Sequence, residues 1–412
     1  MSDVSDIRSQ FPALLRTLNG RPVVYVDGPA GSQVPAAVAE AVSRYLLESN
    51  ANHGGVFDTS QRSDAILHEA HCALADLLGA GDPDCIVFGA NTTTIALAVS
   101  RALGRTWRPG DEVIVSDMDH EANVTPWMLA AKQAGAVIRR IAVHKDGSTL
   151  DLDDFRAKLS PRTRLVAVGY ASNLTGTIHP VAEMTAAAHE VGADVFIDAV
   201  HFAPHGLIDV KQIGCEFLAC SAYKFFGPHV GVLYGKRDRL ESLEPDKLRV
   251  APNDLPHKWM TGTQNHEGIA GAAAAVEYLA GIGRRIDSNA TNRRSAIEAA
   301  FRWISTYERS LATHLIVGLQ QLPGIRIWGI TDPQRLHERV PTVSFTHAQR
   351  SPAEIATRLA ERGIFVWAGS HYALPFTEAM HLEPLGTLRV GLMHYNTPEE
   401  VDRLLRELGE FL

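Results

Sequence analysis

Three short segments of this chain combine residue types that do chemistry. SAYKFFGPHVGVLYG, residues 221–235, sets Lys224 after a strand-like run and before Phe225-Phe226. Most lysines are solvated, but an amine flanked by apolar residues is partly desolvated. Its pKa then falls and it can form a Schiff base with a carbonyl. In DVFIDAVH, 194–201, Asp198 closes an apolar strand. Parallel α/β sheets carry functional groups at the C-terminal ends of their strands. A carboxylate there either caps the following helix or holds a ring nitrogen of a heterocyclic cofactor protonated. FGANTTTIALAVSRAL, 88–103, turns at Gly89 and enters an apolar-periodic helix through Asn91-Thr92-Thr93-Thr94. Free N–H groups and hydroxyls at a helix start cradle phosphate. Ordinary N-capping explains the same residues when they are read alone.

The elements that must position these groups follow from the pattern. Short apolar runs at Cys85–Phe88, Glu112–Val115, Ala136–Ile141, Leu165–Gly169, Val195–Asp198, Phe217–Ser221 and Gly231–Tyr234 read as strands. Helical patterns lie between several of them, at Thr92–Ala102, Asn123–Ala134, Leu152–Leu159 and Val181–Val191. That alternation predicts an α/β domain with a mainly parallel sheet. The span Phe225–Tyr234 has no helix and reads as part of a hairpin. Beyond about residue 265 the pattern changes. Gly268–Leu279 and the charge-rich Asp287–Leu322 read as helices. Strands at Ile325–Trp328, Thr342–Thr346, Ile364–Trp367 and Leu388–Gly391 then alternate with helices at Pro352–Glu361 and Pro398–Leu408. The expected organisation is an N-terminal segment, 1–20, packing with the small domain, a large domain, 21–285, and a smaller C-terminal α+β domain, 286–412.

Composition narrows the function classes. The 412 residues are 45% hydrophobic and 21% charged, which excludes a disordered chain or a disulfide scaffold. Lys and Arg total 39 against 47 Asp and Glu, a net charge of −8, so no basic surplus is available for nucleic acid. No apolar run reaches the ~20 residues that span a bilayer, and the N-terminus lacks the pattern of a secretory signal. No membrane association and a cytoplasmic location are expected. Cys72, Cys85, Cys215 and Cys220 form no CxxC pair, and Cys72, Cys85 and Cys220 read as buried thiols in apolar surroundings. The pairs His189-Glu190 and His201/His205 have suggestive spacing, but no metal site is expected.

The order of the three motifs, phosphate cradle, strand-end Asp and post-strand Lys, resembles the fold-type I pyridoxal-phosphate enzymes. Finer segments resemble the class V aminotransferases, and within them the cysteine desulfurase-like group. These are YVDGPAGSQVP (25–35), SDMDHEANVTPW (116–127), YASNLTGTIHP (170–180), GTQNHEGIAG (262–271) and LRVGLMHYNT (388–397). The resemblance covers about Tyr25 to Thr397. It implies a large domain with a mainly parallel seven-stranded sheet, pyridoxal 5′-phosphate as cofactor and an amino-acid substrate. It also implies a homodimer with sites at the interface. Carried over residue by residue, Lys224 would form the Schiff base, Asp198 would pair with the pyridine nitrogen and His120 would stack on the ring. His201, where desulfurases usually carry Gln, would hydrogen-bond the ring oxygen. Asn91, Thr92 and Ser221 would hold the phosphate, with Tyr223 beside them and Thr263 reaching across the dimer. Asn173 would contact cofactor or substrate, and Arg389 would clamp the substrate carboxylate. Ala30, Gly31, His53, His371 and Tyr372 would shape the substrate pocket, with Trp367 near them.

The chain also departs from that family. Desulfurases carry a mobile cysteine in the loop before the final Arg. Here the loop reads WAGSHYALPF, 367–376, with Tyr372 at the position of the thiol, and no cysteine follows Cys220. Tyr223 replaces a family histidine, and Asn52-His53-Gly54-Gly55 stands where a basic segment is usual. A phenol cannot accept sulfane sulfur. The expectation is therefore Cα deprotonation followed by β-elimination, in the manner of a C–S lyase. A desulfurase with an unusual sulfur acceptor, a class V aminotransferase or epimerase, and a cofactor-binding scaffold or sulfur-transfer partner without turnover remain alternatives. Tyr372 would donate a proton to a leaving group or wall the pocket. His371 would act in acid–base chemistry or sit as a solvated loop residue.

Overall fold

The computed structural model describes residues 4–412; the first three residues of the expected N-terminal segment lie outside the described residues. Seven strands form the central sheet: β1 (Ile86–Gly89), β2 (Glu112–Ser116), β3 (Val137–Ile141), β4 (Thr163–Gly169), β5 (Asp194–Asp198), β6 (Phe217–Ser221) and β7 (Gly231–Gly235). Their spatial order is β1-β7-β6-β5-β4-β2-β3. Only β7 runs antiparallel, to both β1 and β6; the remaining pairs are parallel. β6 and β7 are thus the expected hairpin, with Lys224 on its connecting loop.

Side chains alternate across the sheet, and both faces are covered. Val195 and Ile197 join the core on one face and Phe196 the core on the other. Each such fully buried side chain is worth about 1.5–3 kcal/mol. Helices α1 (Ala36–Glu48) and α2 (Asp58–Leu78) precede the sheet in the chain. α3 (Thr92–Gly104) follows β1, α4 (Thr125–Ala134) follows β2 and α5 (Val181–Glu190) follows β4. Two long helices, α6 (His266–Ile286) and α7 (Arg293–Gln320), lead to a four-stranded antiparallel sheet. Its strands are β8 (Ile325–Trp328), β9 (Thr342–His347), β10 (Trp367–Gly369) and β11 (Thr387–Gly391), in the order β8-β9-β11-β10. Helices α8 (Pro352–Glu361) and α9 (Pro398–Phe411) belong to the same region, which has its own core.

Four expectations need correction. The run Ile364–Trp367 is not one strand. Ile364–Phe365 pairs in parallel with Val24–Tyr25, whereas β10 pairs with β11, so the chain changes sheets at Val366. The helix expected from Asp287 begins at Arg293, because Asn292 accepts from Ser295 N and builds a capping box. The helix expected over Gly268–Leu279 extends from His266 to Ile286, capped by Asn265. Cys72 is only partly buried, on α2, while Cys85, Cys215 and Cys220 are buried.

The N-terminal segment meets the C-terminal region: Arg8 Nη2 pairs with Glu400 Oε1 at 2.8 Å, and the Phe11 ring lies 5.0 Å from that of Tyr395. Gly231 lets β7 pass close to the start of α3. A Cβ there would meet Asn91 C at 2.6 Å and Asn91 Cα at 2.8 Å. Gly231→Ala is expected to cost about 1–3 kcal/mol of stability, read as a lowered urea midpoint, and to displace the α3 N-terminus.

Candidate active site

The last residues of three neighbouring strands, Gly169, Asp198 and Ser221, line one cavity of about 550 Å³. The N-terminus of α3 closes one side with Asn91, Thr92 and Thr93, and the 367–372 loop and Arg389 of β11 close the other. A parallel sheet makes this arrangement natural, since crossover connections leave a crevice beyond the strand C-terminal ends.

Lys224 sits on a short turn after β6, and its amine donates to Pro29 O, with the Tyr223 ring centroid 4.9 Å away. Burial, with the nearby Arg389 charge, pushes the amine down to about 7; the Asp198 carboxylate opposes that shift. Asp198 accepts from Val200 N at 2.9 Å. Burial raises its carboxyl to about 6, against the pull of that N–H and of Lys224. An unpaired buried carboxylate of this kind calls for a cationic partner.

His120 follows β2. Burial and the charges of Lys224 and Arg389 push it down to about 4. Its Nδ1 accepts from Ala122 N at 3.0 Å, which leaves the proton on Nε2. Its ring lies 5.4 Å from the Tyr372 ring, tilted by 34°. Thr92 Oγ1 and Ser221 Oγ are 2.7 Å apart. Asn91 Oδ1 is occupied as the N-cap of α3, accepting from Thr94 N at 2.9 Å, so only its amide NH₂ is free for a phosphate. His201 is buried, with Nε2 2.9 Å from Thr342 Oγ1.

The substrate side is built from distant segments. Arg389 Nη1 donates to Asn173 O at 2.8 Å, and Asn173 Nδ2 donates to His371 O at 2.8 Å. Arg389 Nε and Asn173 Oδ1 are buried without partners. Burial pushes the guanidinium down to about 9, still protonated at neutral pH. His371 Nε2 lies 3.1 Å from Thr387 O, and burial with the Arg389 charge lowers the ring to about 2. It is therefore a neutral, bonded residue and not a solvated one. His371 and Tyr372 both have positive φ, 55° and 57°, a strained conformation for two consecutive non-glycine residues. Tyr372 O accepts from Glu121 N at 2.8 Å, and the Tyr372 side chain is 73% exposed at the mouth. Ala30 and Trp367 line the cavity.

Gly31 is not a lining residue; it packs against the Tyr223 ring. His53 lies outside this cavity, in a second one with His68, His71, His257 and His266, stacked 5.8 Å from the His257 ring. Thr263 is also elsewhere, in a groove with Asn265, Ile95 and His229. His189, His201 and His205 bond Glu216, Thr342 and Glu308 respectively.

The fold has close counterparts among known proteins. The family model described as "Aminotransferase class-V" matches residues 24–404. The chain belongs to the class V aminotransferase family. Members of this family use pyridoxal phosphate, and this chain is a pyridoxal-phosphate enzyme of the cysteine desulfurase-like group. A probable cysteine desulfurase of Halalkalibacterium halodurans is 34% identical over 98% of this chain and 96% of its own length. A cysteine desulfurase of Pectobacterium carotovorum is 32% identical over 98% and 97%. The crystal structure of the cysteine desulfurase CsdA from Escherichia coli matches with a TM-score of 0.84 and 31% identity, covering 100% of this chain and 98% of that one.

Among the titratable residues lining the cavity, one was not expected from the sequence. Asp119 is fully buried, accepts from Gly169 N at 2.7 Å and Asn123 Nδ2 at 3.2 Å, and faces the Asp198 charge. Burial raises its carboxyl well above the usual range. An acid wedged between Met118 and His120 after an apolar strand was the available signal.

Proposed function

We propose that the cavity holds pyridoxal phosphate and that the chain uses it to deprotonate an amino acid at Cα and expel a β-substituent, releasing a thiol and an imino acid that water hydrolyses to a keto acid and ammonia. The residues present fit the cofactor: an amine lowered to about 7, a buried carboxylate whose one hydrogen bond is from a backbone N–H, and hydroxyls at a helix N-terminus surround one space. When bound, the cofactor supplies an electron sink for the charge left at Cα. Lys224 would hold the cofactor and would accept the Cα proton. Asp198 would hold the ring nitrogen protonated, His120 would cover one ring face, and His201 would hydrogen-bond the ring oxygen. Thr92, Ser221 and the Asn91 amide hold the phosphate. Arg389 and Asn173 orient the substrate carboxylate.

The observation that carries elimination over desulfuration is the placement of sulfur. Among the described residues no cysteine lines the cavity. Cys85 and Cys215 are buried with thiols pushed up to about 12, and Cys220 higher still. A persulfide carrier must be an accessible thiolate. The loop position instead presents Tyr372, as a wall of the mouth over His120. The names of the relatives favour a second reading, desulfuration with sulfur taken by an acceptor outside this chain. Product analysis of cofactor-loaded protein with L-cysteine and S-substituted cysteines separates them. Pyruvate, ammonia and released thiol are expected; alanine with transferred sulfur would establish the second reading.

The chain is also proposed to act as a homodimer, with Thr263 of one copy completing the phosphate site of the other. Its place in a separate groove, outside the cavity of its own chain, supports this. Thr263→Ala is expected to weaken cofactor retention several-fold, as loss of one hydrogen bond to a charged group does, measured by dialysis. A gel-filtration mass near 44.8 kDa at full cofactor occupancy would contradict the shared site. A division near residue 286, between α6 and α7, is supported by the separate core of the four-stranded region. Among the described residues no helix is long and apolar enough to cross a membrane.

A further inference from the structure

The buried contact between His201 and Thr342 joins the two sheets at the cofactor cavity. His201 belongs to the turn after β5 and lines the cavity; Thr342 is the first residue of β9 in the small sheet and is fully buried. Thr342 is firmly placed. Its N donates to Val340 O at 2.8 Å, and its carbonyl accepts from the buried Arg339 guanidinium, which also donates to Thr175 O at 2.9 Å. Two residues along, Ser344 Oγ donates to Leu174 O at 2.6 Å, so the start of β9 is docked against the large domain.

The His201 ring is neutral here. Four groups oppose its charge along with burial: His205 on the same turn, Arg389 on β11, Lys224 after β6 and His120 after β2. A neutral imidazole carries one proton, on either nitrogen. If Nε2 held it, Nε2–H would donate to Thr342 Oγ1, and the Thr342 hydroxyl proton would be buried with no acceptor among the described residues. A buried unsatisfied donor is costly. If the Thr342 hydroxyl donates to Nε2 instead, both groups are satisfied and the ring proton moves to Nδ1, which bonds no described residue.

We infer that Thr342 is a positioning residue for the cofactor: its hydroxyl fixes the His201 tautomer with the proton on Nδ1, so that the ring presents an N–H donor to an anionic oxygen of the cofactor ring. The inference rests on the proposed role of His201 toward that oxygen. The small domain thereby acts on the cofactor without touching it, in the way that a partner on the far nitrogen orients a metal-bound histidine.

The test uses full-length, cofactor-loaded protein and two readouts besides turnover: cofactor retention on dialysis, and the pH titration of the visible absorbance of the bound cofactor. Thr342→Val keeps the shape and removes the hydroxyl. It is expected to weaken retention about three- to tenfold, the range of one net hydrogen bond. It should also move the titration midpoint upward, because the ring oxygen loses a donor that favours its negative charge when the nitrogen joined to Lys224 gives up its proton. Thr342→Ser is expected to keep both at the parental values, and Thr342→Ala to repeat the Val result should Val impair folding. His201→Ala should shift both readouts at least as far, and Thr342→Val added to it should change nothing more. Parental behaviour of Thr342→Val beside a shifted His201→Ala would overturn the inference and leave the role of His201 standing. Parental behaviour of both would overturn the two together. Additive effects in the double variant would show that Thr342 acts by another route.

Discussion

Lys224→Ala is expected to lower kcat by at least about 10⁴-fold, the upper range for a positioned proton-transfer group, and to abolish the visible band that marks covalently attached cofactor. No other lysine lines the cavity among the described residues, so no neighbour substitutes for it. The same amine sets a pH signature. Its pKa is lowered to about 7 by burial and by Arg389, and the nucleophile is the neutral form. The free-base fraction therefore rises with pH through 7 and saturates near 8. The rate at which added pyridoxal phosphate attaches to apoprotein should follow that curve. A rate still climbing steeply at pH 10 would place the amine at its ordinary value and sink the desolvation argument. Unchanged turnover in the Ala variant would overturn the catalytic role of Lys224.

Arg389→Gln is expected to reduce kcat/KM by about 10²–10³-fold, mostly through KM. Hydrogen bonds to charged groups contribute about 1.5–3 kcal/mol each, and a guanidinium offers two in parallel to a carboxylate. Its Nε is buried with no partner, so the cavity contains an unanswered donor where an anion is wanted. A carboxylate-free amine analogue of the substrate provides the control. It should react poorly with the parent and no worse with Arg389→Gln. Equal losses on both compounds would mean that Arg389 supports the cavity wall, through its bond to Asn173 O, and does not read the carboxylate.

Much of the architecture follows from local pattern. Seven apolar runs, spaced by helical stretches, specify a sheet covered on both faces, because period and length alone separate strand from helix. Strand ends are also local, and the C-terminal ends are where Asp198 and Ser221 stand. The failures are local in kind too. The run Ile364–Trp367 is uniformly apolar, so nothing in it marks the point at which the chain leaves one sheet for another. Asn91 reads equally as a cap or a phosphate ligand, and its oxygen is used as the cap.

Residue type and order thus indicated by themselves that Lys224, Asp198 and the 91–94 turn stand at or just after strand C-terminal ends, and hence the class of chemistry. Tertiary structure alone decided which remote segments complete the cavity. Asn173, His371 and Arg389 form one bonded chain across more than two hundred positions of sequence. His53 is turned into a different cavity, Asp119 is buried beside Asp198, and Thr342 reaches His201 from the other sheet. Those contacts depend on how two separately patterned sheets dock. Docking is set by the sum of many packed side chains, so no single segment carries its signature.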